Sequence, residues 1–533
     1  MRPSRRQPGE IASVIGALRQ KGVKIWAENG QLRYRAPRGS LTDAELAQLR
    51  RSKDDIVALL GAAAGHTTDG PRALGAGRPS QVPLSLSQLA HWHAYRLNER
   101  HAIRQIASAT RLRGALDLAV LERSLAEVVR RHEALQTRIV LHEGIPAQQF
   151  CAACEGKLRQ IDLSVCGEGA RHREIERHIT EIIMQPIEVR VGPLFEAEVL
   201  KLRDNEHVLI MAMEHLISDG YSLNIILSDV FNAYANLVAG RLPEWPTVAV
   251  QFHDYAVWQN RMLRQWLDGA GRSWCEQVSS APRLRVPEST SCCAPCHAPG
   301  WGTVPLRIDR NRTRQLRTWC RERGTTLVMA IFSAYVGLML RWCQSSQGVF
   351  QYQSDGRAWP QVENTVGYFA SVLYLPARLE ENTTFLDLLD QVTEEYGRAL
   401  DHADFSSYLA AQVPRLDVTR NPGLNWLPRR SKEQARATHG SASFPIDCEP
   451  VPFSHPMVKD LVMDVEPALL MSETDDELSG EWYYPRDRLS AETMETVGRS
   501  LVGFLDVLLC EPARRVNSVY LPQSSHAHVT IRQ

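Results

Sequence analysis

Residues 61–82 divide this chain into two parts that must fold separately. The stretch GAAAGHTTDGPRALGAGRPSQ (61–81) holds five Gly and five Ala and has no apolar period, so it reads as a flexible linker. It leaves a head of 60 residues and a body long enough to bury large cores. The head carries 12 Lys/Arg against 6 Asp/Glu, whereas the whole chain balances 61 against 61. A neutral chain argues against general nucleic-acid binding, and 44% apolar with 23% charged residues is globular composition. The longest uncharged apolar run, Leu327 to Leu340, has 14 residues. A membrane span needs about 20, so the run predicts a buried core helix. With no apolar leader after MRPSRRQPGE, the expectation is a cytoplasmic monomer without membrane contact.

The eleven cysteines are scattered, which fits reduced thiols. Cys151/Cys154 and Cys293/Cys296, the latter followed by His297, have zinc-ligand spacing. The two pairs lie far apart, and the second sits in a Pro/Ser/Cys-rich stretch. Ordinary thiols and no metal are therefore expected.

In the head, Ile11, Val14, Ile15 and Leu18 share one helical face, and Gly22 sits where that helix would end. Asn29-Gly30 between two short alternating runs is a hairpin signal, because both turn residues must accept positive φ. Thr42-Asp43-Ala44-Glu45 has capping-box spacing and opens a second helix with Leu46, Leu49, Ile56 and Leu60. The predicted order is helix, hairpin, helix. A hairpin in so small a module exposes an edge strand. Arg33 and Arg35 beside Trp26 and Tyr34 suit an extended, acidic peptide added as a further strand. The order and residues resemble the N-terminal β-hairpin docking domains of assembly-line synthetases. That resemblance implies a partner: the C-terminal linear motif of an upstream carrier protein. The alternative is an appendage without a partner.

In the body, Leu118 to His132 has helical period, and Leu194–Leu202 and His207–Met213 read as a β-hairpin. The second strand runs into Glu214-His215-Leu216-Ile217-Ser218-Asp219-Gly220, and a helix is predicted from Ser222 to about Ala239. A His and an Asp are thus presented between a buried strand and a helix, where rigid scaffolds place reactive groups. His215 suits a general base near neutral pH, Asp219 suits pairing with an Arg to pin the loop, and Gly220 suits a backbone that a side chain would block.

Five stretches in order resemble condensation domains of nonribosomal peptide synthetases, within the chloramphenicol-acetyltransferase-like acyltransferases. They are Pro83-Leu84-Ser85-Leu86-Ser87-Gln88 with Trp92, Arg131 to Arg138 (RHEALQTR), Glu214 to Gly220, Asp254 to Gln259 (DYAVWQ), and Gly356-Arg357 followed by Val366-Gly367-Tyr368-Phe369. The resemblance implies an α/β (α+β) fold of two acetyltransferase-like lobes in a V, preceded by the docking domain. The expected boundaries are 1–60 docking, 61–82 linker, 83–285 first lobe, 286–300 inter-lobe linker, 301–520 second lobe and 521–533 tail. His215 takes the family's base position, in a tunnel between the lobes. Glu214 replaces the first His of the HHxxxDG signature and would buttress the loop. Arg357 is the expected partner of Asp219.

The implied reaction moves an acyl, polyketide or peptidyl chain from the phosphopantetheine thioester of a carrier protein to a small amine or hydroxyl acceptor, with no cofactor bound by the enzyme itself. No adenylation or carrier domain, phosphate loop or GxSxG elbow is recognisable, so chain release is the expected setting. Glu214, Asp219 and Ser222 also approach the DxxxxDxxS pattern of heterocyclisation domains, and an idle scaffold is the remaining alternative.

Overall fold

A computed structural model describes residues 24–28 and 31–35, scattered helical positions between 47 and 56, and residues 70–97, 105–151, 158–185, 187–287, 301–412, 421–427, 446–451, 467–473 and 477–521. In the head, β1 (Lys24–Glu28) and β2 (Gln31–Arg35) form the expected antiparallel hairpin, with Trp26 opposite Arg33, Ile25 opposite Tyr34 and Lys24 opposite Arg35. The first helix of the head lies outside the described residues, as do the side chains of Trp26, Arg33, Tyr34 and Arg35. Of the second helix, residues 47, 49–51, 53 and 56 are helical, and Leu49 and Ile56 are buried as the apolar stripe requires.

The body follows as β3 (Gln81–Pro83), α1 (Leu86–Leu97), β4 (Gln105–Arg113), α2 (Leu118–Arg131), β5 (Thr137–His142), β6 (Ile145–Phe150), β7 (Leu158–Asp162), α3 (Glu168–Met184), β8 (Phe195–Arg203), β9 (Glu206–Glu214), α4 (Gly220–Val238), α5 (Phe252–Trp266) and α6 (Arg272–Ser280). The second half holds β10 (Trp301–Ile308), α7 (Arg310–Arg323), α8 (Leu327–Trp342), β11 (Gln347–Ser354), β12 (Ser371–Arg378), α9 (Phe385–Asp401), α10 (Ser407–Ala411), β13 (Gly423–Leu427), β14 (Asp447–Pro450), β15 (Ala468–Glu473), β16 (Leu478–Pro485) and α11 (Ala491–Cys510). The mixed α/β class expected from the sequence is present.

The first half is organised by a sheet in the order β14-β4-β9-β8-β7. Its central strand β9 is covered on both faces. Leu209, Met211 and Met213 pack into one core with α2 and α4, and Val208, Ile210 and Ala212 pack against Ile175, Ile179, Ile182 and Ile183 of α3. Strand alternation sends successive side chains to opposite sides, so a run with apolar residues at every position fits only a doubly covered strand. Each of the Val, Leu, Ile and Met side chains among them contributes about 1.5–3 kcal/mol on burial. The second half has a sheet in the order β10-β16-β15-β13-β11-β12, packed with α8, α9 and α11. Met329 to Leu340 of α8 are all buried, as the 14-residue apolar run predicted. Among the described residues no single helix is long and apolar enough to cross a membrane.

Two sets of contacts cross the divisions expected from the sequence. The later part of the supposed flexible linker is pinned to the body. Leu74 N–H and Arg78 Nε both donate to Asp254 Oδ1 (3.2 and 2.9 Å), Arg78 also pairs with Glu133, and β3 pairs with β6. Its glycines suggested freedom, but one Arg facing two carboxylates holds it. The halves are also not contiguous in sequence: β14, from the second half, adds antiparallel to β4 with Cys448 opposite Leu112. An open β4 edge would expose unpaired backbone groups, and the added strand covers it. Most of the proposed inter-lobe linker, residues 288–300, lies outside the described residues.

Candidate functional site

Strand β9 ends at Glu214, which is fully buried, and the chain turns through a single 3₁₀ turn at His215–Ile217 before α4 begins. His215 is half-buried at the end of a rigid strand. Its Nδ1 lies 3.0 Å from the Ser218 carbonyl oxygen. A carbonyl only accepts, so Nδ1 carries the proton and donates. Burial lowers the His215 pKa, outweighing the opposing pull of nearby Asp219 and of the backbone hydrogen bonds. The ring is therefore neutral at pH 7, and Nε2 presents a lone pair. That is the form a general base requires.

Asp219 fixes the loop. It caps α4 by accepting the Ser222 N–H at 2.7 Å, and it accepts the backbone N–H groups of Phe369 (3.0 Å) and Ala370 (3.2 Å). Arg357 donates to both of its oxygens, NH1 to Oδ2 at 2.8 Å and NH2 to Oδ1 at 3.2 Å, with both side chains buried. Burial alone would raise the Asp219 pKa. The Arg357 guanidinium and the Ser222 hydrogen bonds outweigh it and hold the carboxyl below its ordinary value. Arg357 also donates to the Ser222 hydroxyl (3.0 Å) and the Thr365 carbonyl (3.2 Å), and its guanidinium lies 4.5 Å from the rings of both Tyr221 and Phe369. Such aromatic faces suit a guanidinium withdrawn from water. Gly356, at φ +64°, precedes it, and a Cβ there would be driven into the Phe369 carbonyl. That position requires glycine on both counts.

Gly220 does not play the part expected of it. It is the first residue of α4, it is exposed, and a Cβ there would meet open space. Because Asp219 caps the helix, α4 starts two residues earlier than predicted and Gly220 needs no special backbone. The open space lies on the loop that carries His215.

The second half contributes Tyr368, whose ring centroid is 4.6 Å from that of His215. His91, on α1, is 5.2 Å from His215 and 5.6 Å from Tyr368. The sequence motif singles out Gln88 and Trp92 and passes over His91 between them. Gln88 is buried and donates to the Leu216 carbonyl at 2.6 Å, which ties α1 to the His215 loop. His91, three residues on, is thereby brought beside the loop. A second missed group is Asp404, which accepts from Trp359 Nε1 at 2.9 Å and from the Tyr255 hydroxyl at 3.3 Å, joining α5 to the second half. Burial pushes its pKa up to about 6.

Among the described residues no cluster of His, Cys, Asp and Glu could hold a metal ion. Cys154, Cys293, Cys296 and His297 lie outside them.

A family model for the condensation domain matches residues 79–528, and one for the TubC N-terminal docking domain matches residues 11–61. The dimodular nonribosomal peptide synthase of Bacillus subtilis is 25% identical over 481 residues, 85% of this chain and 19% of that protein. Bacitracin synthase 2 of Bacillus licheniformis is 26% identical over 421 residues, 77% of this chain and 15% of that protein. The chain thus spans only a small share of these relatives. Among solved structures, the X-domain in its complex with OxyB from teicoplanin biosynthesis has a TM-score of 0.71 at 23% identity, covering 86% of this chain and 100% of that one. The EpoB cyclization-docking bidomain from Sorangium cellulosum has a TM-score of 0.67 at 17% identity, covering 95% and 99%. These likenesses establish the fold.

Proposed function

The chain belongs to the condensation-domain family and carries a docking domain of the TubC type at its N-terminus, and from that premise we propose that it transfers an acyl, polyketide or peptidyl chain from a carrier-protein phosphopantetheine thioester to a small amine or hydroxyl acceptor, releasing the chain as an amide or ester. The observation that carries this reading is the orientation of His215: Nδ1 is committed to the Ser218 carbonyl, which leaves Nε2 to take a proton.

In this reading the acceptor's N–H or O–H hydrogen-bonds to His215 Nε2. As its lone pair attacks the thioester carbonyl, the proton passes to Nε2. The tetrahedral adduct then expels the phosphopantetheine thiolate, which recovers the proton. No covalent enzyme intermediate is formed, and the thioester makes the transfer downhill without ATP. Asp219 and Arg357 act on geometry, keeping the loop and the facing Phe369–Ala370 backbone in register. Glu214 supports the loop from beneath. The hairpin head raises the local concentration of the carrier by receiving its C-terminal motif.

Heterocyclisation is disfavoured because Ser222, which would complete that pattern, donates to the Gly367 carbonyl at 2.8 Å and accepts from Arg357, so it serves the loop. The deciding experiment incubates the protein with an acylated carrier and a panel of amines and alcohols and weighs the intact carrier. Acyl loss that disappears in His215→Ala supports the proposal. Unchanged acyl-carrier mass with every acceptor class supports an idle scaffold instead. Removing residues 1–60 should slow turnover of the carrier and spare a small thioester surrogate. Equal slowing of both would count against the docking role.

A further inference from the structure

His91 is the unexplained group at this site. Its half-buried ring contacts the rings of both His215 and Tyr368. Its Nε2 is shielded from solvent and has no hydrogen-bond partner among the described residues. A buried polar atom without a partner is costly, so one beside a candidate base calls for a ligand that completes it. Burial, with the nearby His215, holds His91 far below its ordinary pKa, at about 3. It therefore serves as a neutral imidazole, neither a second base nor a cation that would repel a protonated His215.

We propose that His91 is a second substrate-contacting imidazole, which holds the acceptor by a hydrogen bond to the same nucleophilic atom that gives its proton to His215. This rests on the transfer reaction proposed above. Two hydrogen bonds of about 2.9 Å to a common atom bridge nitrogens up to about 5.8 Å apart, and the His91 and His215 ring centroids lie 5.2 Å apart. The proton count works for either acceptor class. An alcohol gives its one proton to His215, attacks with one lone pair and accepts an N–H from His91 with the other. A primary amine attacks with its only lone pair, gives one proton to His215 and shares its second with a His91 ring nitrogen in the other tautomer. A neutral imidazole supplies both options because either nitrogen can carry the proton. Tyr368, edge-on to His91, closes the side of the pair contributed by the second half.

The test uses the acylated-carrier assay on the full chain, with the acceptor concentration varied. His91→Phe keeps a flat ring and removes the hydrogen bond, whereas His91→Gln places an amide near the Nε2 position. The expected result is an acceptor KM raised about 3- to 10-fold in His91→Phe, the scale of one neutral hydrogen bond, with the carrier KM unchanged and the loss recovered in His91→Gln. An acceptor KM within twofold of the parent in His91→Phe overturns the proposal, as does a fall in kcat at unchanged acceptor KM. If His91→Phe has no cooperative melting transition, His91→Leu takes its place under the same criteria. The two readings fail differently. A parent protein that transfers no acyl group refutes the reaction and the inference with it, whereas an active parent that is insensitive to His91 refutes the inference alone.

Discussion

Arg357 closes on Asp219 through two hydrogen bonds of 2.8 and 3.2 Å, joining residues 138 positions apart with both side chains out of water. Removing one partner leaves the other's charge buried and uncompensated. Arg357→Ala should cost about 3–5 kcal/mol of stability, read as a shift of the denaturant midpoint, with acyl transfer lost alongside it. Because the Asp219 pKa is depressed in the folded state, its contribution is present above the unfolded carboxylate pKa and disappears as pH falls through the lower folded value. Asp219→Asn should weaken this acid dependence as well as lower stability at pH 7.

Asp404 has the opposite sign. Its folded pKa, raised to about 6, lies above the unfolded value, so its stabilisation is present below the unfolded pKa and is lost as pH rises through 6. Asp404→Asn keeps an oxygen for Trp359 and removes the buried charge. It should gain stability at pH 8, by no more than about 3 kcal/mol, gain little at pH 4, and flatten the melting temperature between them. Equal shifts at both pH values would show that the carboxyl does not titrate in this range.

His215→Ala should lower kcat by about 10²–10⁴-fold and leave the melting temperature near that of the parent, since the ring is only half-buried. Burial lowers the pKa of this ring, so the base form persists below the ordinary imidazole value. The acidic limb of kcat/KM should therefore fall below pH 6.5. A limb above that value would contradict the desolvated base.

Two glycines make a paired test. Gly356→Ala combines a left-handed backbone with a collision at the Phe369 carbonyl, and it should destabilise the protein by about 2 kcal/mol or more. Gly220→Ala adds a methyl group to open space at a helix N-terminus and should leave the melting curve unchanged. Thermal unfolding of the two variants side by side checks both.

What could be read in advance was what local physics governs. The Leu327–Leu340 run could only be a buried helix, the alternation around Asn29-Gly30 could only pair as a hairpin, and the strand before Glu214 was visible because its neighbours in sequence are its neighbours in space. The pairing of Arg357 with Asp219 follows from family resemblance, since the residues themselves name no partner. His91 is not legible in the sequence because position 91 is an ordinary turn of α1 until Gln88 ties that helix to the Leu216 carbonyl. The surroundings of Gly220 are not legible either, because open space cannot be told from crowding by residue type.

By itself the sequence determined the hairpin of the head, the strand before Glu214, the buried helix at Leu327–Leu340 and the one histidine placed between strand and helix, because hydrophobic period, turn chemistry and helix capping act over a few residues. Tertiary structure alone decided that β14 crosses to the β4 edge, that Arg78 pins the supposed linker, and that Tyr368 and His91 flank His215. Those are contacts between segments tens to hundreds of residues apart. They depend on which surfaces the folded layers bring face to face, and no short-range pattern encodes that.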